Sequence, residues 1–95
     1  MTLIDFHDVD ELRNRNEEKV WAALEAHFAA NPGACRCRDC VLDTAALALN
    51  RLPPRYQVYT FHGNDPAGGA AQEAREAVAA VAAASAQVAK RPHHL

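Results

Sequence analysis

The sequence predicts a mainly α fold: a small helical domain with a buried central helix and one short strand, assembled as a homodimer. Three observations carry this prediction: an amphipathic run over 14–33, a nearly apolar run over 39–52, and an alanine-rich run over 70–89. Only 55–61, RYQVYTF, alternates in the manner of a strand. The chain has 95 residues with one Trp, three Phe and one Met, so its core is small and a partner subunit is favoured.

The first amphipathic helix is predicted to end at Asn31, where Pro32 and Gly33 follow. Its start has two interpretations. Val9 and Leu12 continue the apolar spacing upstream and favour a start at about residue 9, whereas Asn14 and Glu17 have the form of a capping pair and indicate a break or a new start there. Val20, Ala23, Leu24 and His27 share one face, and Trp21 and Phe28 beside it are expected in the core or in a dimer interface.

The next run, DCVLDTAALALNRL, is apolar on nearly all sides, which predicts a buried central helix. Asp39 is its candidate N-cap, and Pro53 and Pro54 end it. The strand that follows needs a partner, and no second strand is recognisable after it. We therefore expect either that its tip folds back or that the same strand of another subunit pairs with it.

The alanine-rich run has high helix propensity. Val78, Val81, Ser85 and Val88 form a narrow stripe, which favours packing across another helix over an exposed tail. The organisation predicted is an extension or first helical turns over 1–13, a core over 14–60, a loop over 61–69, and an alanine-rich helix with a frayed tail over 70–95.

The net charge of −2 and the pI near 6.2 argue against binding DNA through bulk electrostatics. The middle of the chain is nevertheless locally basic, with Arg36, Arg38, Arg51 and Arg55, and this favours a small anionic ligand. No signal peptide or membrane span is recognisable, so a cytoplasmic protein without membrane contact is expected. In a reducing compartment the cysteines would bind a metal or stay free.

All three cysteines lie in the stretch CRCRDC, as Cys35, Cys37 and Cys40. The C-x-C-x2-C spacing offers three thiolates to a zinc ion, with Cys40 at the start of a helix where backbone N–H groups favour the thiolate. The fourth ligand stays open. The candidates are a thiolate from another chain, water, or one of His7, His27, His62, His93, His94 and Asp43. A reactive thiol and inert packing are the alternatives to a metal site, and the first of these would need a nearby histidine base.

The run CRCRDCVLDTAALALNRLPPRYQVY resembles the core signature of the ComFB-like, late competence development family. Upstream, Asn14, Glu17 and Val20 resemble the N-x-x-E-x-x-V element of that family, so that the resemblance covers about residues 14 to 60. It implies a small, mostly helical, dimeric domain without known enzymatic activity, in which Cys35, Cys37 and Cys40 bind zinc. Some members are receptors for cyclic dinucleotides.

A cyclic dinucleotide offers two phosphates and two purines, so its site needs guanidinium groups and planar groups. The candidates are Arg51, Arg55 and Tyr56, with Asp43 or Asn50 to contact a purine edge. Each of these residues has a structural alternative. The arginines would be solvated or paired with acids such as Glu17 and Glu25, and the tyrosine would lie in the core or in an interface. Asp43 and Asn50 would cap a helix or form hydrogen bonds to another helix.

The function expected is that of a non-enzymatic, zinc-binding signalling domain that binds c-di-GMP or c-di-AMP. The alternatives are a protein-interaction module that uses the dimer and the alanine-rich helix, with zinc as a staple, and a thiol and zinc redox switch.

Overall fold

The computed structural model describes residues 1–58 and 70–90. In chain order its elements are helix α1 (Leu3–Phe6), a 3-10 turn (Val9–Glu11), strand β1 (Leu12–Asn14), helix α2 (Asn16–Ala30), helix α3 (Arg38–Arg51), strand β2 (Tyr56–Val58) and helix α4 (Ala70–Lys90). The predicted loop 61–69, the end of the predicted strand and the tail after Lys90 lie outside the described residues. The predominance of helix is as the sequence predicts.

Helix α2 begins at Asn16, so the prediction of a helix from about residue 9 is wrong and the alternative start near Asn14 is correct. Asn14 Oδ1 accepts a hydrogen bond from the Asn16 backbone N–H at 3.1 Å, and the Glu17 carboxylate accepts one from the Asn14 backbone N–H at 3.4 Å. The N-cap position is Arg15, so Asn14 lies one residue before it, and the two side chains satisfy backbone N–H groups on either side of the N-cap.

The strand partner is β1, which precedes α2 and pairs antiparallel with β2 in the register Leu12↔Val58, Arg13↔Gln57 and Asn14↔Tyr56. The sequence pattern did not predict β1, because a partner strand within the chain was expected only after β2. β1 has no β-branched residue, and its leucine fits an upstream continuation of the helical stripe. The pairing within one chain means that β2 does not require a second subunit to form.

Helix α4 packs along both α2 and α3, which confirms the prediction that the alanine-rich run packs against other helices. Its buried stripe consists of Ala77, Ala80, Val81, Ala84 and Val88. All of these except Val88 form one core cluster with Val20, Ala23 and Leu24 of α2 and Ala45 and Ala48 of α3. Small side chains allow the three helices to approach closely. Val78, which the predicted stripe included, is exposed.

Helix α3 buries one face only. Cys40, Thr44, Ala45 and Ala48 are buried, whereas Leu42 is 40% exposed, so the prediction of a helix buried on all sides is wrong for the single chain. Helix α2 also leaves a large apolar side chain in solvent, since Trp21 is 44% exposed and is not a core residue of the single chain. An apolar face of α2 and α3, which includes Trp21 and Leu42 and which α4 leaves exposed, therefore meets solvent.

A cluster of charged side chains joins the sheet to the helices. The Arg15 guanidinium donates two hydrogen bonds to the Glu73 carboxylate, at 3.0 and 2.8 Å, and Lys19 Nζ lies 3.6 Å from the same carboxylate. Arg55 bonds Glu76 at 3.0 Å. This cluster fixes the N-terminal part of α4 against β2 and the start of α2.

Candidate metal centre and ligand groove

The three cysteines lie where the chain passes from α2 into α3. Helix α2 ends at Ala30, and the Arg36 guanidinium donates to the carbonyl oxygen of Phe28 near that end. Cys37 is the N-cap of α3, so the predicted capping role of Asp39 is wrong. The Cys40 backbone N–H donates to Cys37 Sγ at 3.4 Å, and a sulfur therefore takes the place that an oxygen side chain usually has at a helix start.

The three sulfur atoms converge. Cys35, Cys37 and Cys40 place their Sγ atoms within 4.8 Å of one another, with Cys35 exposed and Cys40 buried. A tetrahedral zinc ion with Zn–S bonds of about 2.3 Å holds its sulfurs about 3.8 Å apart, so small side-chain shifts suffice to surround an ion. Among the described residues, no histidine or carboxylate joins this group.

The electrostatics of the two inner thiols differ. The hydrogen bond from the Cys40 backbone N–H lowers the pKa of Cys37. Burial, together with the neighbouring sulfurs of Cys37 and Cys35, raises the pKa of Cys40 to about 12. The expectation that the helix start favours a Cys40 thiolate is thus wrong, because the N–H of its first turn points to Cys37. A metal ion that binds here has to displace the Cys40 proton.

These observations fit a zinc site made of three thiolates. The structure also shows which of the candidate fourth ligands lie away from the sulfur cluster. His27 Nε2 lies 2.9 Å from Ser85 Oγ in the contact between α2 and α4, and neither His7 nor Asp43 belongs to the sulfur cluster. The candidates His62, His93 and His94 lie outside the described residues. A cavity of about 280 Å³, bordered by Cys35, Cys40 and Ser85 among others, lies next to the sulfurs and gives access to them.

Only two of the five predicted ligand-binding residues share a groove. Asn50 and Tyr56 line one groove of about 450 Å³, together with Leu49, Leu52, Pro54, Ala46, Asn14 and Glu17. The Tyr56 side chain is well exposed, at 63%. An amide and an aromatic ring thus line the same groove at the end of α3, on either side of the Pro53–Pro54 turn.

The other three candidates do not line that groove. Arg51 is exposed at the end of α3, and its guanidinium bonds Gln87 Oε1 of α4 at 3.3 Å. Arg55 belongs to the charged cluster and also donates to Asn16 Oδ1 at 2.7 Å. Asp43 is half-buried, two turns before the end of α3. The acids that pair with Arg55 are Glu73 and Glu76, and not the predicted Glu17 or Glu25.

Sequence reasoning missed Glu73 and Glu76 as partners of the arginines. They lie three residues apart on α4, so they share one helix face, and this spacing was the only local signal available. Their partners are more than 20 residues away in the chain. Asn14 and Glu17 were expected in structural roles, as a capping pair or as partners of other side chains, and both also line the groove.

The described residues define a class: a small helical domain with a short antiparallel sheet and a three-cysteine cluster suited to a metal ion. The family model of the Late competence development protein ComFB matches residues 13–92, and the chain belongs to this family. The match confirms the resemblance found in the sequence and extends it beyond residue 60 into α4. Neither the curated proteins nor the solved structures contain a significant match. None of the described helices is long and apolar enough to cross a membrane.

Proposed function

We propose that this chain is a non-enzymatic, zinc-binding signalling domain that acts as a homodimer and binds a cyclic dinucleotide at the end of α3. The observation that carries the proposal is the convergence of Cys35, Cys37 and Cys40 at the start of that helix. It is supported by membership of the ComFB family.

Zinc would act as a structural ion that stabilises the fold. The core cluster contains many alanines, which bury little apolar area, so the domain has little hydrophobic stabilisation in reserve. Three bonds from the loop and the first turn of α3 would hold that helix in place, in the way that structural zinc ions stabilise other small domains. Such a site requires reduced thiols, which agrees with a cytoplasmic location.

The exposed apolar face of α2 and α3 supports a homodimer. Trp21 and Leu42 both lie on it, and exposed aromatic and aliphatic side chains of this size are typical of the centres of interfaces. α4 already covers the other side of the same two helices. A second copy placed on this face would bury the residues that the sequence pattern predicts to be inside.

The groove at the end of α3 is our candidate for the nucleotide site. Tyr56 presents a ring on which a purine can stack, and the Asn50 amide can both donate and accept hydrogen bonds at a base edge. The carboxylate of Glu17 in the groove wall disfavours a phosphate there, so we assign the phosphates to Arg51, the exposed arginine that follows Asn50 in the chain. A two-fold dimer would provide this set twice for a two-fold ligand.

The cysteine chemistry favours binding over catalysis. The most buried thiol, Cys40, has a raised pKa and would be a weak nucleophile in the absence of metal. The described residues place no histidine base in the sulfur cluster. We therefore assign the cysteines to the metal and propose no reaction for them in the signalling function.

Titration calorimetry of the zinc-loaded protein with c-di-GMP and with c-di-AMP tests the ligand. We expect one of the two to bind, and Tyr56→Ala to weaken binding about 10- to 100-fold through the loss of one stacked base. Val58→Ala is the matched control, because Val58 is an exposed residue of the same strand outside the groove. The absence of heat with both nucleotides would refute the ligand assignment and leave the zinc site and the dimer untouched.

A redox switch is a second candidate function, favoured by the exposure of Cys35 at the edge of the cluster. Peroxide would oxidise two thiols to a disulfide and itself be reduced to two waters, which removes two of the three donors. Zinc release on peroxide treatment, followed with a chromophoric chelator, supports this candidate. Unchanged metal content after oxidation would exclude it.

A further inference from the structure

The first twelve residues form a segment, here called the N-terminal arm (residues 1–12), whose side chains are all exposed. Half of them are large and apolar: Met1, Leu3, Ile4, Phe6, Val9 and Leu12. Single exposed apolar residues are ordinary on a protein surface, but a run of this density is typical of a segment that binds another surface.

Apart from Leu12, which pairs with Val58 in the sheet, the arm has local order and little support from the rest of its own chain. Thr2 and Asp5 form a capping box around α1, and Asp8 accepts a hydrogen bond from the Asp10 backbone N–H at 3.2 Å. α1 is one turn long and does not pack extensively against α2, α3 or α4. A single helical turn is not stable in water by itself, so it needs a surface against which to fold.

The charge of the arm restricts what that surface can be. Asp5, Asp8, Asp10 and Glu11 are its charged side chains, and it has no lysine or arginine. An anionic membrane or a nucleic acid would repel it. The complementary surface is apolar with a basic border.

The α2–α3 face of this same protein has that character. A groove of about 190 Å³ is lined there by Trp21, Leu24, Phe28 and Val41, with Arg36 and Glu25 also in its lining. Arg38, at the start of α3, is 82% exposed in its side chain. The groove therefore combines apolar walls with the guanidinium group of Arg36. Arg38, which lies 3.5 Å from the Asp39 carboxylate, adds a second exposed guanidinium group outside the lining.

We propose that the N-terminal arm of one chain lies in the α2–α3 groove of a second copy, with its apolar side chains against Trp21 and Val41 and its carboxylates near Arg36 and Arg38. A two-fold dimer forms this contact twice. The inference rests on the proposed dimer and adds the element that holds it together. The arm precedes residue 13, where the family match begins, so the inference rests on the residues of this chain and not on the family match.

Photo-cross-linking between isotopically distinct chains tests the contact directly. The full-length, zinc-loaded protein carries photoreactive benzoylphenylalanine in place of Phe6 and is mixed with unmodified ¹⁵N-labelled protein. We expect cross-linked peptides that join the unlabelled arm to labelled segments containing Trp21 or Val41. Cross-links found within one isotope alone, or directed to α4, would overturn the proposal.

Dimer affinity provides the second measurement. Deletion of residues 2–11 should raise the dimer dissociation constant at least about tenfold in sedimentation experiments, since it removes a cluster of apolar anchors. Val78→Ser is the control, because it removes an exposed apolar side chain of α4 outside the groove and should change nothing. A truncated protein that dimerises as tightly as the full chain would refute the role of the arm alone. A full-length protein that is monomeric at all concentrations would refute the dimer together with it.

Discussion

Replacing Ala84 with leucine should destabilise the domain, because Ala84 is 0% exposed in the contact of α4 with the other helices. Leucine adds three carbon atoms where the surrounding helices leave no free surface. Overpacking of this kind costs about 1–3 kcal/mol. For a domain of this size each kcal/mol lowers the melting temperature by about 4–8 °C, so we expect a decrease of roughly 5–20 °C.

Ala82→Leu is the matched control, because Ala82 is exposed on the same helix. Alanine and leucine are both strong helix formers, so the two variants differ mainly in the burial of the new side chain. Thermal melts and urea unfolding, followed by circular dichroism, give the comparison. If the two variants unfold within about 0.5 kcal/mol of each other, α4 is not docked as described, since surface substitutions stay within that limit.

Two further predictions concern polar groups. Asn14→Ala removes the oxygen that accepts hydrogen bonds from the backbone N–H groups of Asn16 and Arg55, and should lower the free energy of unfolding by about 1–3 kcal/mol in urea titrations. Asn14→Asp keeps the acceptor oxygen, so it should lower the free energy of unfolding by less. Equal losses in the two variants would contradict this prediction. Hydrogen bonds from Arg15 lower the pKa of Glu73 below its usual 4.5, so its contribution to stability is complete above that pH and is lost as the pH falls through the lower folded-state value. The stability difference between wild type and Glu73→Gln should therefore shrink below about pH 4.5, and a difference that does not change with pH would argue against the ion pairs.

The helices were predictable because their signals are local. The periodicity around Val20 and Leu24, the Asn31-Pro32-Gly33 stop and the alanine-rich composition each act within a few turns. The cysteine cluster was predictable for the same reason, since three donors within six residues of chain can hardly lie far apart. The apolar pattern of α3 could not show whether a single chain buries that helix on all sides. In the structure one face of α3 meets solvent, and Leu42 lies on that face.

The features that were missed depend on contacts distant in sequence. β1 was assigned to a helix because Leu12 fits the helical spacing, while its pairing with β2 joins segments more than 40 residues apart. The partners of Arg55 on α4 became visible only once α4 was placed against the sheet. The reversal of roles between Cys37 and Cys40 has a smaller cause, since a helix that begins two residues earlier than expected directs its first N–H groups to a different sulfur.

The most direct test of the central claim is the zinc content and zinc coordination of the purified protein and of its Cys37→Ser variant, by elemental analysis and X-ray absorption. Serine can replace the sulfur as N-cap of α3, so this variant removes a metal donor while it keeps the helix start. We predict one zinc per chain in the wild type, with three sulfurs at about 2.3 Å, and loss of both the metal and thermal stability in the variant. A wild-type protein purified without zinc and unable to take it up, or a variant that retains zinc with three sulfurs, would contradict the account.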